Sequence, residues 1–503
     1  MRYKRLQSLH SNRNDFFTPF DKALEKFGWN RYQALLPYIL EQDIPTLQAH
    51  IADGKFTYEE LTLFYLFRIR YYETNKDTYL NAIIALNPKV LEEARQKDKN
   101  RPEILSHPLY GMPILLKDNI STVEMPTTAG AAALQHNQTE KDAFVVKQLK
   151  ARGALILGKL NLSEWAYYFC EGCPLGYSAI GGQTLNPYGR KQFESGGSSS
   201  GSGVAMAANY AVASLGSETS GSILSPAGKN SVVGLKPTIG AVSRSGIVPI
   251  SATLDTSGPM TRNVVDNAIV LSAMVGNDTE DSYSYEAEAI RFSHLDSVGL
   301  QGRRLGVIRS FLEDSLLMKA VSDLRHAGAE IIELDLPEIS LEGFGKLLDT
   351  DMKRDLPEYL RQYAHPSVPV TNIEDVIAFN KQDTLLHAPY GQGIFEEIIA
   401  DTLTAKGFAR KRKQLMKIGR DYFSKPMEAH NLDAVVSINN YSASYAALAH
   451  FPALGVPMGF SAEGEPKNIT FIAPSGAEQL LLEIGAAYER ATNHRTLPTL
   501  FSE

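Results

Sequence analysis

Residues 195–203 read SGGSSSGSG, residues 216–226 read GSETSGSILSP, and between them runs VAMAANYAVASL. Serine and glycine in a row have the composition of a flexible linker. Here they run without a break into small apolar residues of the kind that fill a core, and a second serine-glycine turn follows. The pattern predicts a buried helix over 204–213 held between two constrained turns. A linker would have no need of that helix.

The remaining chain narrows the class. Its 503 residues, 44% apolar and 21% charged, are enough for a sizeable core. A net charge of −7 argues against general binding to nucleic acid or to anionic membranes, both of which select basic surfaces. The short basic run RKRK (410–413) reads as a solvated helix face. MRYKRLQSLHSNRND at the N-terminus has the charges of a targeting segment without the apolar stretch that must follow. The most apolar stretch, ASYAALAHFPALGVPMGF (443–460), is interrupted by Pro452, Pro457 and His450. The expectation is a cytoplasmic protein that neither spans a membrane nor binds nucleic acid. Two cysteines exclude a disulfide framework. They form C-x-x-C at 170–173, but no further Cys or His stands nearby to complete a zinc site, and Pro174 and Gly176 follow where a redox motif would start a helix.

Residues 1–55 read as a peripheral helical extension packed on the core, and 56–503 as the main domain. Thr57 and Glu60 form a capping-box pattern ahead of helical apolar spacing. From about residue 78 the texture is α/β, with GMPILLK (111–117), ALILGK (154–159), RLGVIRS (304–310), AEIIELDLP (329–337) and LDAVVSINN (432–440) as buried strands and 142–153 as a helix. The charged, helix-rich section 311–430 is expected to cover the sheet.

Two glycine-serine turns can gather backbone N–H groups around an anion. Neither has the Lys-Ser/Thr of a nucleotide-binding P-loop, and polar YGRKQFE precedes the first where a dinucleotide fingerprint needs a strand. GSSSG (197–201) matches the G-x-S-x-G nucleophile elbow, with Ser199 as nucleophile, a match any serine-glycine run produces. A serine can instead be activated by a lysine that is desolvated and neutral. Lys117, ending the apolar run Met112–Leu116, suits that role; its other reading is an ion pair with neighbouring Asp118 at a strand mouth.

Taken together, GMPILLKDNI (111–120), MPTTAG (125–130), ESGGSSSGSG (194–203), GSETSGSILSPA (216–227), VVGLKPTIGAVSRSGIVP (232–249) and LDTSGPMTRNVVDNAIVL (254–271) resemble the amidase signature family in its order and spacing. The resemblance spans roughly 45–495 and is strongest to the branch holding peptide amidases. It implies an α/β fold with a large mixed central sheet covered by helices on both faces, and hydrolysis of a small-molecule amide without metal or organic cofactor by a monomer or homodimer. It also implies a Ser-Ser-Lys triad of Lys117, Ser198 and Ser222, with Ser222 as nucleophile and a cis peptide before Ser198. The backbone N–H groups of Thr219, Ser220, Gly221 and Ser222 would form the oxyanion hole, with Ser199 and Ser217 as supporting hydroxyls. Several positions depart from the family pattern, among them Asn230-Ser231 where many members carry Cys-Gly, a change of packing. Ser220 replaces a glycine, so its backbone must avoid positive φ. Leu224 replaces an arginine expected to pair with Glu218, which then needs another partner or water. Leu224-Ser225 also stands where glutamine-dependent tRNA amidotransferase subunits carry Arg-Gln, which favours simple hydrolysis over transamidation. A binding scaffold on a retired amidase fold is the third reading, against which all three triad residues are present. Trp165, Tyr167, Tyr168, Phe169 and Tyr177 are either cleft-bordering aromatics or ordinary core residues.

Overall fold

The computed structural model describes residues 3–503. Its centre is an eleven-stranded mixed sheet. On one side, the strands Ile83–Leu86, Leu155–Leu160, Pro113–Lys117, Ala213–Glu218, Thr256–Thr261 and Val233–Lys236 lie in that spatial order. The sheet continues through Ala453–Phe460, Pro466–Ile472, Ala434–Ile438, Arg304–Ile308 and Glu330–Leu334. Pro113–Lys117 runs parallel to both of its neighbours, so Lys117 and the end of Ala213–Glu218 emerge at the same edge. Crevices outside the carboxyl ends of parallel strands are where α/β sheets hold ligands.

Four of the five strands expected from apolar runs are buried as anticipated. Glu330–Leu334 is a strand but not a buried one: it pairs on one side only, and its outward residues are exposed. Its glutamates meet arginines of the adjoining segment, Glu330 with Arg304 and Glu333 with Arg309. Charge on an edge strand also discourages pairing with another chain.

The helix expected over 204–213 is displaced. It occupies Ser200–Ala207, beginning inside the serine-glycine run, and residues 213–218 form a central strand. Close packing explains the shift. A Cβ on Gly201 would lie 2.5 Å from the Asn161 carbonyl oxygen, and one on Gly203 would lie 2.7 Å from that of Pro226. These glycines therefore serve contact, not flexibility. Asn209, at φ +57°, closes the helix in the left-handed conformation that asparagine tolerates.

The N-terminal helices Asp21–Ile39, Ile44–Ala52 and Tyr58–Glu73 share one continuous apolar core with the sheet. The Thr57–Glu60 capping box is formed as read. Buried Arg68 links this layer to the rest, donating to Tyr32 Oη at 2.7 Å and to the Ala208 carbonyl at 2.8 Å.

The section 311–430 covers the sheet only in part. Phe423 and Met427 of the helix Ala405–His430 pack on Val435 and Ile472 of the strands. Leu356 and Tyr359 of the helix Phe344–Tyr363, with Val376 and Phe395 of the helices after it, pack instead on residues 129–134 and on Trp165 and Phe169. These helices roof the loops at the carboxyl edge, because their apolar faces meet loop residues and not strand residues.

Candidate active site

Strand alternation sends Lys117 and Asp118 to opposite faces. Asp118 does not pair with Lys117. Its partner is Lys159 on the next strand, at 3.1 Å with both side chains fully buried, and it also accepts from the Thr128 N–H at 3.1 Å. Lys159 donates to the Ile120 carbonyl at 2.8 Å and to Thr127 Oγ1 at 2.9 Å, tying down the segment that follows the site. The direct partners of Lys117 are thus all neutral. Its Nζ, with the residue 0% exposed, lies 2.8 Å from Ser198 Oγ, 2.9 Å from Ser217 Oγ and 3.1 Å from the Ser217 carbonyl. Burial pushes this amine down to about 7, opposed by the nearby carboxylates of Asp255 and Glu218.

Ser198 follows a cis peptide bond, Gly197–Ser198. Ser199 precedes the helix Ser200–Ala207 without capping it, its side chain turned inward. Its Oγ donates to the Ser217 carbonyl at 3.0 Å and accepts from the Ser217 N–H at 3.2 Å. Fully buried and held at both ends, Ser199 cannot meet a substrate, and no strand precedes it. The nucleophile-elbow reading is therefore discarded. Ser217 touches the lysine amine itself and accepts from Asn119 Nδ2 at 2.9 Å.

The two serine-glycine turns are stitched together. The Ser199 N–H donates to the Ser222 carbonyl at 3.1 Å and the Gly197 N–H to Ser225 Oγ at 3.4 Å. In the second turn Gly221 alone takes positive φ, +84°, so Ser220 sits where an L-residue is comfortable. Ser220 Oγ lies 3.0 Å from Ser444 Oγ. Among the described residues, no carbonyl or side chain accepts from the N–H groups of Ser220, Gly221 or Ser222. Ser222 itself is partly exposed.

Glu218, without its arginine, neither faces water nor finds a cation. It accepts from the backbone N–H groups of Ile223 and Leu224, at 2.7 and 3.0 Å, as a cap on the short helix Leu224–Lys229. Replacing Glu218 by alanine is expected to lower stability by about 1–2 kcal/mol, the size of losing a helix cap. Glutamine, which keeps an acceptor, should cost less; urea unfolding midpoints of the two variants check the order.

A cleft of about 300 Å³ borders this centre at Asn119, Ser217, Thr219 and Asp255. Arg244 and the segment 245–250 form one wall, and Tyr359 and Tyr363 the other. From the aromatic stretch only Ala166 lines it. Trp165 and Phe169 are core residues packed on Phe395, at centroid distances of 5.4 and 5.1 Å. Tyr168 donates to Asp349 at 2.7 Å, Tyr167 to the Cys173 carbonyl at 3.0 Å, and Tyr177 packs on Tyr390. The sequence reading missed Asp255, Arg244, Tyr359 and Tyr363. The first two lie inside the motif blocks and could have been found there; the tyrosines sit in the charged helical section with no local signal. The Cys170 and Cys173 side chains face each other, Cα atoms 5.8 Å apart, beside a separate small pocket. Among the described residues no three His, Cys, Asp or Glu side chains converge as a metal site would require, and no helix is long and apolar enough to cross a membrane.

Residues 60–345 match the family model described as Amidase. The chain is 36% identical to a probable amidase of Arabidopsis thaliana, over 92% of each chain. It is 38% identical to the native peptide amidase from Stenotrophomonas maltophilia, with a TM-score of 0.87 over 92% of this chain and 99% of that one. It is also 29% identical to a glutamyl-tRNA(Gln) amidotransferase chain of Ligilactobacillus salivarius, over 92% of this chain and 98% of that protein. An eleven-stranded α/β architecture with a buried lysine set against serine-rich turns, together with these matches, places the chain in the amidase family. It is an amidase, a hydrolase, and its likeness is to the peptide-amidase branch.

Proposed function

We propose that this amidase hydrolyses a carboxamide, R–CO–NH2 or a small secondary amide, through an acyl-enzyme on Ser222. The observation that carries the reading is Lys117: fully buried, free of its neighbouring carboxylate and 2.8 Å from Ser198 Oγ. A neutral amine there accepts the Ser198 proton, and Ser198 Oγ accepts that of Ser222. Ser222 Oγ bonds to the carbonyl carbon while the C=O π pair moves onto oxygen. The unclaimed N–H groups of residues 220–222, with that of Thr219, are suited to receive the oxyanion; each such donor is typically worth about 3 kcal/mol. Collapse breaks the C–N bond, and the leaving nitrogen takes the proton returned through Ser198. Water then releases the carboxylate and restores Ser222.

A peptide C-terminal amide is the favoured substrate class, from the likeness to the peptide amidase and from a cleft with room for more than a bare carboxamide. Glutamine-fed transamidation is less well supported because Leu224-Ser225 replaces Arg-Gln, and the inactive-scaffold reading is less well supported because Lys117, Ser198 and Ser222 are all present.

Exposure to a fluorophosphonate probe of serine hydrolases should add one adduct to the wild type. Intact mass and peptide mapping should place it on Ser222, and Ser222→Ala should take up none. Ammonia release from a panel of primary amides, peptide amides included, should follow the same pattern. An adduct that persists in Ser222→Ala, or its absence from folded wild type, would overturn the assignment.

A further inference from the structure

Asp255 joins the halves of the site and has no part in the relay itself. Its Oδ1 accepts from Thr219 Oγ1 at 2.5 Å, while Oδ2 accepts from the N–H groups of Ile250 and Ser251 at 2.8 and 2.9 Å. The carboxylate therefore holds the 219–222 turn against the segment that walls the cleft, and it lines that cleft beside Ser217. It is also the stronger of the two carboxylates acting on Lys117; the second, Glu218, is occupied by the N–H groups of Ile223 and Leu224.

Resting on the lysine-relay reading, we propose that Asp255 is a positioning residue of the reaction. Through Thr219 it holds the turn that carries Ser222, and through its charge it biases the protonation of Lys117.

The charges around it are few and mostly committed. Arg244 faces Asp255 but is paired with Asp281 and stacked on Tyr283. From the helix Phe344–Tyr363, Asp351 accepts from Ser251 Oγ, Asp355 accepts from the Ala252 N–H, and Arg354 neutralises both. Tyr359 of that helix lies 2.9 Å from Ser121 Oγ. His450 is near Lys236, Arg420 and Arg244, and burial holds it low at about 4. On the other face of the strand, Asp118 and Lys159 cancel. Burial raises Asp255 to about 6, against the donors it accepts and Arg244. As an anion, Asp255 favours the ammonium form of Lys117.

The test is the second-order rate of fluorophosphonate labelling, followed by intact mass from pH 5 to 9. In the wild type the rate should rise through about pH 7. Asp255→Asn should move that rise toward lower pH by about 0.5–1 unit, because the amine loses the charge that favours its proton. Thr219→Val should leave the rise in place and lower the plateau about tenfold, from misaligned N–H donors. Thr219→Ser, which restores the hydroxyl, should recover most of that loss. A rise unmoved or displaced upward in folded Asp255→Asn would overturn the charge role. A Thr219→Val plateau equal to the wild type would overturn the positioning role, and the threonine pair decides that half even where Asp255→Asn does not fold. Wild type that takes no label on Ser222 would instead sink the relay reading on which this one rests.

Discussion

Lys117→Met is expected to lower hydrolysis of a primary amide at pH 8 by about 10⁴-fold, at the upper end of what a positioned proton acceptor supplies. The reason is local. Ser198 and Ser217 surround the amine, and among the described residues no other base touches Ser198 Oγ. The wild type should report the same group in its pH profile. Below about 7 the amine keeps its own proton and cannot take that of Ser198, so activity should be lost as pH falls through that value and retained above it. Lys117→Met should remove this step from whatever activity remains. It should also melt no lower than the wild type at pH 7. An amine whose folded pKa is depressed favours the unfolded state, which binds the proton more readily, and that penalty shrinks as pH rises above 7. Ammonia release against pH, with thermal melts of both proteins, checks each point. A methionine variant that is inactive because it is unfolded would show in the melt.

Lys159→Met carries the second large effect, on stability. Asp118 and Lys159 are fully buried with their charges 3.1 Å apart, and Lys159 also holds three oxygens of the segment 120–127, the Ile120 and Pro126 carbonyls and Thr127 Oγ1. Removing the lysine strands a carboxylate in the core, and breaking a buried pair from one side typically costs about 3–5 kcal/mol. The denaturation midpoint should fall accordingly. The double variant Asp118→Asn/Lys159→Met, which strands no charge, should recover a large part of the loss. A single variant as stable as the wild type would mean that water or a rearranged partner reaches Asp118.

Much of this was legible in the chain. The lysine at the end of an apolar strand and the capping box at Thr57 are local patterns with local physical causes, and each formed where it was read; the serine-glycine turns formed in part, the first passing into a helix at Ser200. What misled was also local. Apolar residues at 204–216 suit a buried helix and a buried strand equally, and only packing divided them at Ala207. Glu330–Leu334 read as buried because its apolar residues cluster, but a strand's place in the sheet order is set by partners distant in the chain. The aromatics near residue 167 gave no sign of which would face a cleft; Tyr359 and Tyr363, far along the chain, do so instead.

The order of residues settled which chemical groups were available: an amine in an apolar strand, hydroxyls in turns that only glycine permits, and a motif order that marks the family. Their charge states and partners were set by folding. Lys117 is beside Asp118 in the chain, but pleating turns them apart. A residue of another strand, Lys159, takes the carboxylate, and Ser198 and Ser217 receive the amine. Glu218 likewise exchanged an expected arginine for two backbone N–H groups. Desolvation and Coulomb interactions act through space, so the protonation of a buried amine follows from the groups the fold gathers around it and not from its neighbours in the chain.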